Sequence, residues 1–177
     1  MTDKKLIFAK ADGTIITDVN QYVKDFLKEF PHTEVTIGCD SQAHARYVKY
    51  SVVIVMHVFH ESKESNPERT GHGAHVISAS VVDRSKNLKT DIYTKLWAEA
   101  MYTVQTAQML DGCNKNVKIH LDYNSKEDEY SNVLYASGIG FVKGMGYEAY
   151  GKPYAWAASH AADDFCKGRA STRTVAK

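Results

Sequence analysis

The chain has 177 residues, 44% of them hydrophobic and 24% charged, and a formal net charge of +1. That length supports one domain with a real core, and the near-zero charge excludes a global basic field, so a nucleic-acid partner would need a local patch. The apolar runs are too short to span a bilayer, the N-terminus has no apolar signal core, and Cys39, Cys113 and Cys166 show no CxxC spacing, which together predict a soluble, cytoplasmic protein with reduced thiols and no membrane association.

In chain order, "LIFAKADGTIIT" predicts a small hairpin turning at Asp12-Gly13. Asp18 is then placed to cap a short amphipathic helix that stops at Pro31, with Val23, Phe26, Leu27 and Phe30 at helical spacing. Three strand-like runs follow: "EVTIGCDS", "YVKYSVVIVMHVFHE" and "AHVISASVVD". The polar stretch "SKESNPERTGHG" between the last two reads as a hairpin end. A helical pattern runs from about Leu88 to Leu110 and ends at Gly112, a C-cap residue. The strand "VKIHLDY" comes next, then a glycine-rich helical stretch, "EYSNVLYASGIGFVKGMG". "YEAYGKPY" predicts a short fifth strand, and "AWAASHAADDFCKG" a closing helix ended by Gly168. The order is βββαβαβα, with a small N-terminal hairpin and helix over residues 1–32 and a basic tail over 169–177.

Two of the strands end on a bare carboxylate. In the first, Thr36, Gly38 and Asp40 share one face; in the later one, Lys118, His120 and Asp122 do. A strand that follows a crossover helix is usually parallel to its neighbour. If these two pair, Asp40 and Asp122 come side by side, a costly arrangement unless a cation or a shared proton relieves it. Mg²⁺ suits such a site, because it is hard, takes oxygen ligands and bridges to phosphates. On the long helix, Ile92, Leu96, Glu99 and Thr103 fall on one stripe, so Glu99 sits where an unpaired charge should not. On the closing helix His160 lies three residues before Asp163 and four before Asp164. Four acids of this kind would hold two divalent metals, a clamp for the attacking and leaving oxygens of a phosphodiester.

With acids in "IGCDSQ", "KLWAEA", "IHLDYN" and "SHAADDF", in that order of elements, the sequence resembles the ribonuclease-H-like superfamily. It is similar in particular to small bacterial ribonuclease-H-like proteins of the YkuK type, through "IGCDSQ", the later strand ending in Asp and a terminal "AxSxxAx" helix. The resemblance covers about residues 33–168. It implies a mixed five-stranded sheet flanked by helices, and hydrolysis of RNA, DNA or RNA/DNA hybrid dependent on Mg²⁺ or Mn²⁺. It implies Asp40 as the first-strand acid, Glu99 as the helix acid, Asp122 as the fourth-strand acid and Asp163 as the closing acid, with Asp164 as its rival. His160 is implied as an aid to the leaving group or to product release.

Other readings compete. Taken singly, Asp40 and Asp122 are ordinary strand-end turn residues, Glu99 is an acid that pairs with a lysine, and Asp163 or Asp164 is a solvated helix acid. His57, His60, His72 and His75 would supply nitrogen ligands for zinc, but residues three apart on a strand point to opposite faces. "SGIGFVKGMG" follows a helical run, unlike a phosphate loop, which follows a strand. Lys152, just before the closing helix, would meet a phosphate or is an ordinary surface lysine; the tail stretch "KGRASTRTVAK", with Lys167, Arg169, Arg173 and Lys177, would hold a nucleic-acid backbone or is a disordered, solubilising end. The rival to catalysis is therefore an inactive domain that grips nucleic acid through this stretch; an actin-like phosphotransferase shares the sheet but needs a second such domain.

Overall fold

The computed structural model describes residues 5–60, 70–84, 91–113, 117–125, 132 and 134–167. The polar loop after His60, the first residues of the long helical pattern at 88–90 and the tail from 168 lie outside them. Strands β1 (Phe8–Lys10) and β2 (Ile15–Ile16) form the N-terminal hairpin. Its turn holds because Gly13 takes a φ of +87° and the Asp12 carboxylate accepts the Thr14 N–H at 2.9 Å. Helix α1 (Val19–Glu29) starts where Asp18 accepts the Gln21 N–H at 2.9 Å.

Strands β3 (Thr33–Ala43), β4 (Val48–His60) and β5 (Thr70–Asp83) form an antiparallel meander. Helix α2 (Ile92–Met109), capped by Asp91, crosses to β6 (Val117–Asn124), which pairs parallel with β3. Helix α3 (Tyr135–Gly144) leads to β7 (Glu148–Lys152), parallel to β6. The order across the sheet is β2-β1-β5-β4-β3-β6-β7. Strands β5, β4, β3, β6 and β7 are the five expected from the sequence, and they run to the β7 edge. The sheet is wider than the expected five because the N-terminal hairpin pairs with β5, Ala9 opposite Ser78, and covers an otherwise open edge.

Alternation sorts the strands between two faces. Val35, Ile37 and Cys39 of β3, Val52, Ile54 and Met56 of β4, and Ile119, Leu121 and Tyr123 of β6 pack in one buried cluster with α1, α2 and α3. Val53 and Val55 of β4 point the other way, into a smaller cluster with Ala157, Ala162, Trp156 and Phe165. Each fully buried aliphatic side chain contributes about 1.5–3 kcal/mol, so the first cluster carries most of the stability.

Two local features depart from expectation. The closing segment is not one α-helix: Ala157–Ala162 is π-helical and runs directly into a short α4 (Asp163–Cys166). Its i→i+5 bonding widens the turn, so α-helical spacing does not describe where His160 lies relative to the acids. The glycines of α3 serve packing. A Cβ on Gly138 would stand 2.2 Å from Cε2 of Tyr123, whose hydroxyl donates to the Leu96 carbonyl at 2.6 Å. That close approach, together with its helical backbone, removes the phosphate-loop reading of "SGIGFVKGMG".

Candidate functional site

The last paired residues of β3 and β6 are Cys39 and Leu121, and the next residue on each strand is Asp40 and Asp122. The two carboxylates therefore stand side by side at the C-terminal ends of neighbouring parallel strands, on the face that meets the closing segment. Burial, with the charges of Asp122 and Asp163 added, raises the Asp40 pKa from 3.8 to about 6, although the Ser41 N–H donates to its carboxylate.

Glu99 approaches from the opposite face. It is 2% exposed on the buried stripe of α2, with Leu96, Ala100 and Thr103; Ile92, expected on that stripe, is at its exposed end. One Glu99 oxygen accepts a hydrogen bond from the Ser41 hydroxyl, next in sequence to Asp40 and on the α2 side of β3. Desolvation pushes the Glu99 pKa well above its ordinary range, and the charges of Asp40 and Asp122 push it the same way. Lys95, one turn earlier on α2, opposes the rise at both Asp40 and Glu99.

Asp163 opens α4, partly buried, and is the closing-segment acid whose charge bears on Asp40. The adjacent Asp164 is also partly buried. His160 is exposed on the π-helical segment. Lys49 anchors this end by donating to the carbonyls of Phe165 at 2.9 Å and Cys166 at 3.3 Å, and the Cys166 thiol donates to the Asp40 carbonyl at 3.2 Å.

The basic residues lie differently from the sequence reading. Lys152, at the end of β7, has its Nζ 2.9 Å from Asp122 Oδ1, an ion-pair distance at which that oxygen still lacks a hydrogen bond. Lys167 pairs with Asp163 at 2.7 Å across one helical turn, so it turns back on the acids instead of extending a basic patch outward. Arg169 and Arg173 lie outside the described residues. Of the zinc alternative's histidines, the two whose side chains are described lie on opposite faces: His75 bonds the Tyr22 hydroxyl at 2.7 Å on the α1 side, whereas His57 meets the Trp156 ring on the other; the side chains of His60 and His72 lie outside the described ones.

The donor set is all oxygen, which suits Mg²⁺ or Mn²⁺. One of its atoms, Glu99 Oε2, is buried without a hydrogen bond, and another, Asp122 Oδ1, already holds a cationic group, the Lys152 ammonium at 2.9 Å, so the residues fit a hard cation. Among the described residues, no three His, Cys, Asp or Glu side chains converge as they stand into a metal cage; Ser41, Lys152 and Lys167 each hold one acid instead. The sequence missed Ser41 and Lys49, whose partners lie 58 and 116 residues away; Lys95 was legible as a basic residue one turn from Glu99.

The sheet order, the crossover and the acid-tipped strands define an α/β domain of ribonuclease-H-like architecture. A model of the family described as ribonuclease H-like matches residues 15–167. The chain belongs to that family. Comparison with curated proteins and with solved structures found no match. No helix among the described residues is long and apolar enough to cross a membrane.

Proposed function

We propose that the domain hydrolyses phosphodiester bonds of nucleic acid with Mg²⁺ or Mn²⁺, using two cations. Asp40 and Asp122 would hold the cations, with Glu99 contributing on one side and Asp163 on the other. When bound, such cations stabilise the charge developing on the phosphate and acidify the attacking water. The protein's own contribution is to aim and to hold. Ser41 fixes the Glu99 carboxylate by hydrogen bonding one oxygen, leaving the other turned inward without a partner. Lys152, within reach of Asp122, is placed to release it and meet a substrate phosphate. Lys49 keeps the segment bearing Asp163 against β4.

The observation that carries this reading is the Asp40–Asp122 pair. Asp40, desolvated and beside a second acid at the end of an adjacent parallel strand, and Glu99, buried behind them, are both disfavoured as ions by their surroundings. The test is cleavage of labelled single strands, duplexes and hybrids with Mn²⁺. Wild type is expected to cleave, and Asp40→Asn to be inactive with unchanged circular dichroism. Persistent cleavage by that variant would sink the proposal.

The ion pairs of Asp122 with Lys152 and of Asp163 with Lys167 favour a second reading, a non-catalytic binding domain whose acids are neutralised internally. Such a domain binds nucleic acid without metal, and removing residues after Gly168 abolishes that binding.

A further inference from the structure

A groove of about 490 Å³ opens beside the acids and has no part in the proposed chemistry. His120 forms its floor. Tyr150 and Trp156 stand edge-on to the His120 ring, at 5.7 Å and 77° and at 5.4 Å and 83°. Tyr154, 72% exposed, stands at the lip. The polar end is the Glu34–Lys118 pair, closed at 2.7 Å, with the Lys118 ammonium over the Tyr150 ring.

The groove is continuous with the acid site through the backbone itself. Lys118, His120 and Asp122 alternate onto one face of β6, at about 7 Å for each pair of residues. Lys152, which touches Asp122, directly precedes Pro153 and Tyr154 of the groove. A chain with a phosphate at the acids therefore has its next unit over the groove.

We infer that this groove is a base-binding subsite, taking one unstacked nucleobase of single-stranded RNA or DNA whose neighbouring phosphate lies at Asp40 and Asp122. The inference rests on the proposed nucleic-acid role of the acid site and narrows its substrate to single strands. The walls are aromatic, which every base can stack on or pack against. The polar end is the less suited to the phosphate, because the Glu34–Lys118 pair is already neutral, whereas a cation held at Asp40 and Asp122 would offset their charge and leave Lys152 for the phosphate. The polar end instead offers an ammonium donor and a carboxylate acceptor, the complement of a base edge. The phosphate end is at Lys152. A duplex keeps its bases stacked inside and cannot fill the groove unless one is extruded.

The test uses the full-length chain with Ca²⁺ in place of Mg²⁺ or Mn²⁺, a hard oxygen-seeking cation of looser geometry, so that the acids carry a cation while the strands stay uncut. Trp97 and Trp156 are the chain's two tryptophans, so Trp97→Phe leaves Trp156 as reporter. Oligo-dT and oligo-U single strands are each expected to quench its emission. An abasic strand of equal length should bind about tenfold more weakly and a duplex should not quench. Tyr154→Ala, followed by anisotropy of a labelled strand in the otherwise native chain, should weaken single-strand binding about tenfold and leave the abasic strand unaffected. Equal binding of abasic and base-bearing strands, equal quenching by duplex, or no binding at all overturns the subsite. Base-dependent quenching without Mn²⁺-supported cleavage keeps the subsite and refutes the nuclease; cleavage with base-independent binding does the reverse.

Discussion

Replacing Asp40 by Asn should make the metal-free protein more stable at neutral pH while abolishing its activity. A carboxyl held at about 6 instead of its ordinary 3.8 costs the folded state about 3 kcal/mol once ionised in both states. The sign follows from the direction. A raised folded pKa contributes stability below the unfolded pKa of 3.8 and loses it as pH rises through about 6. The penalty is therefore full at pH 7.5 and under about 1 kcal/mol at pH 4. Asn retains an oxygen to accept the Ser41 N–H, so most of the difference should survive. For a chain of this length it corresponds to a melting temperature higher by about 6–12 °C. The assay is thermal melting of both proteins in EDTA at pH 7.5 and pH 4, then in saturating Mn²⁺. With Mn²⁺ at a hundred times its dissociation constant, wild type should gain about 2.7 kcal/mol and the variant little. If Asp40→Asn melts no higher than wild type in EDTA at pH 7.5, the like-charged, desolvated pair deduced from β3 and β6 does not exist in solution.

Gly138→Ala removes a helix-interior glycine, which alone would favour α3 by about 1 kcal/mol, yet the added methyl collides with Tyr123. Urea denaturation should register a net loss of about 1–3 kcal/mol; a gain would refute the packing role. Lys152→Met should change stability by less than about 1 kcal/mol, since the lysine side chain is 39% exposed. It should lower the half-saturating Mn²⁺ concentration about threefold, by removing a competing cation from Asp122, and raise the KM for substrate; manganese titration of activity checks both, and a higher Mn²⁺ requirement would contradict the ion pair. For His120, burial lowers the pKa from 6.5 to about 4, so its stabilisation is present above 6.5 and is lost as pH falls. Between pH 7 and pH 4, wild type should therefore lose about 3 kcal/mol that His120→Gln does not, measured by denaturant melts at each pH; parallel curves would show that His120 is not buried neutral.

The parts of the site that could be read from sequence are those governed by local periodicity. Strand alternation put Asp40 with Gly38 and Asp122 with His120, and the crossover rule brought the two strands together in parallel. Helical periodicity placed Glu99 inside, among Leu96 and Thr103, and it lies there with 2% exposure. Periodicity is silent on side-chain partners distant in the chain. Ser41 beneath Glu99, Lys49 on the carbonyls of Phe165 and Cys166, and Lys152 against Asp122 all depend on how layers settle together. The glycine of α3 illustrates the same limit, since only the position of the Tyr123 ring explains why position 138 carries no side chain. The π-helical turn is a further case, where a fragment with sound α-helical spacing took a wider pitch.

The groups that pull against stability are not scattered over the molecule. Asp40, Glu99 and His120 each have their ionised form disfavoured by burial; the pairing of β3 with β6 sets Asp40 near His120, and α2 brings Glu99 to Ser41, the residue after Asp40. A domain selected for stability alone would place threonine or valine at such positions, where strand propensity and packing favour them. A carboxylate whose pKa is raised by burial and by the acids around it, as that of Asp40 is, also responds to a cation, because a bound ion would remove that penalty. The stability lost in the free protein is thereby returned on binding, which couples folding of this end to occupancy of the site. On that account, metal should protect the amides of β3 and β6 near Asp40 and Asp122 from hydrogen exchange more than those of the β1–β2 hairpin.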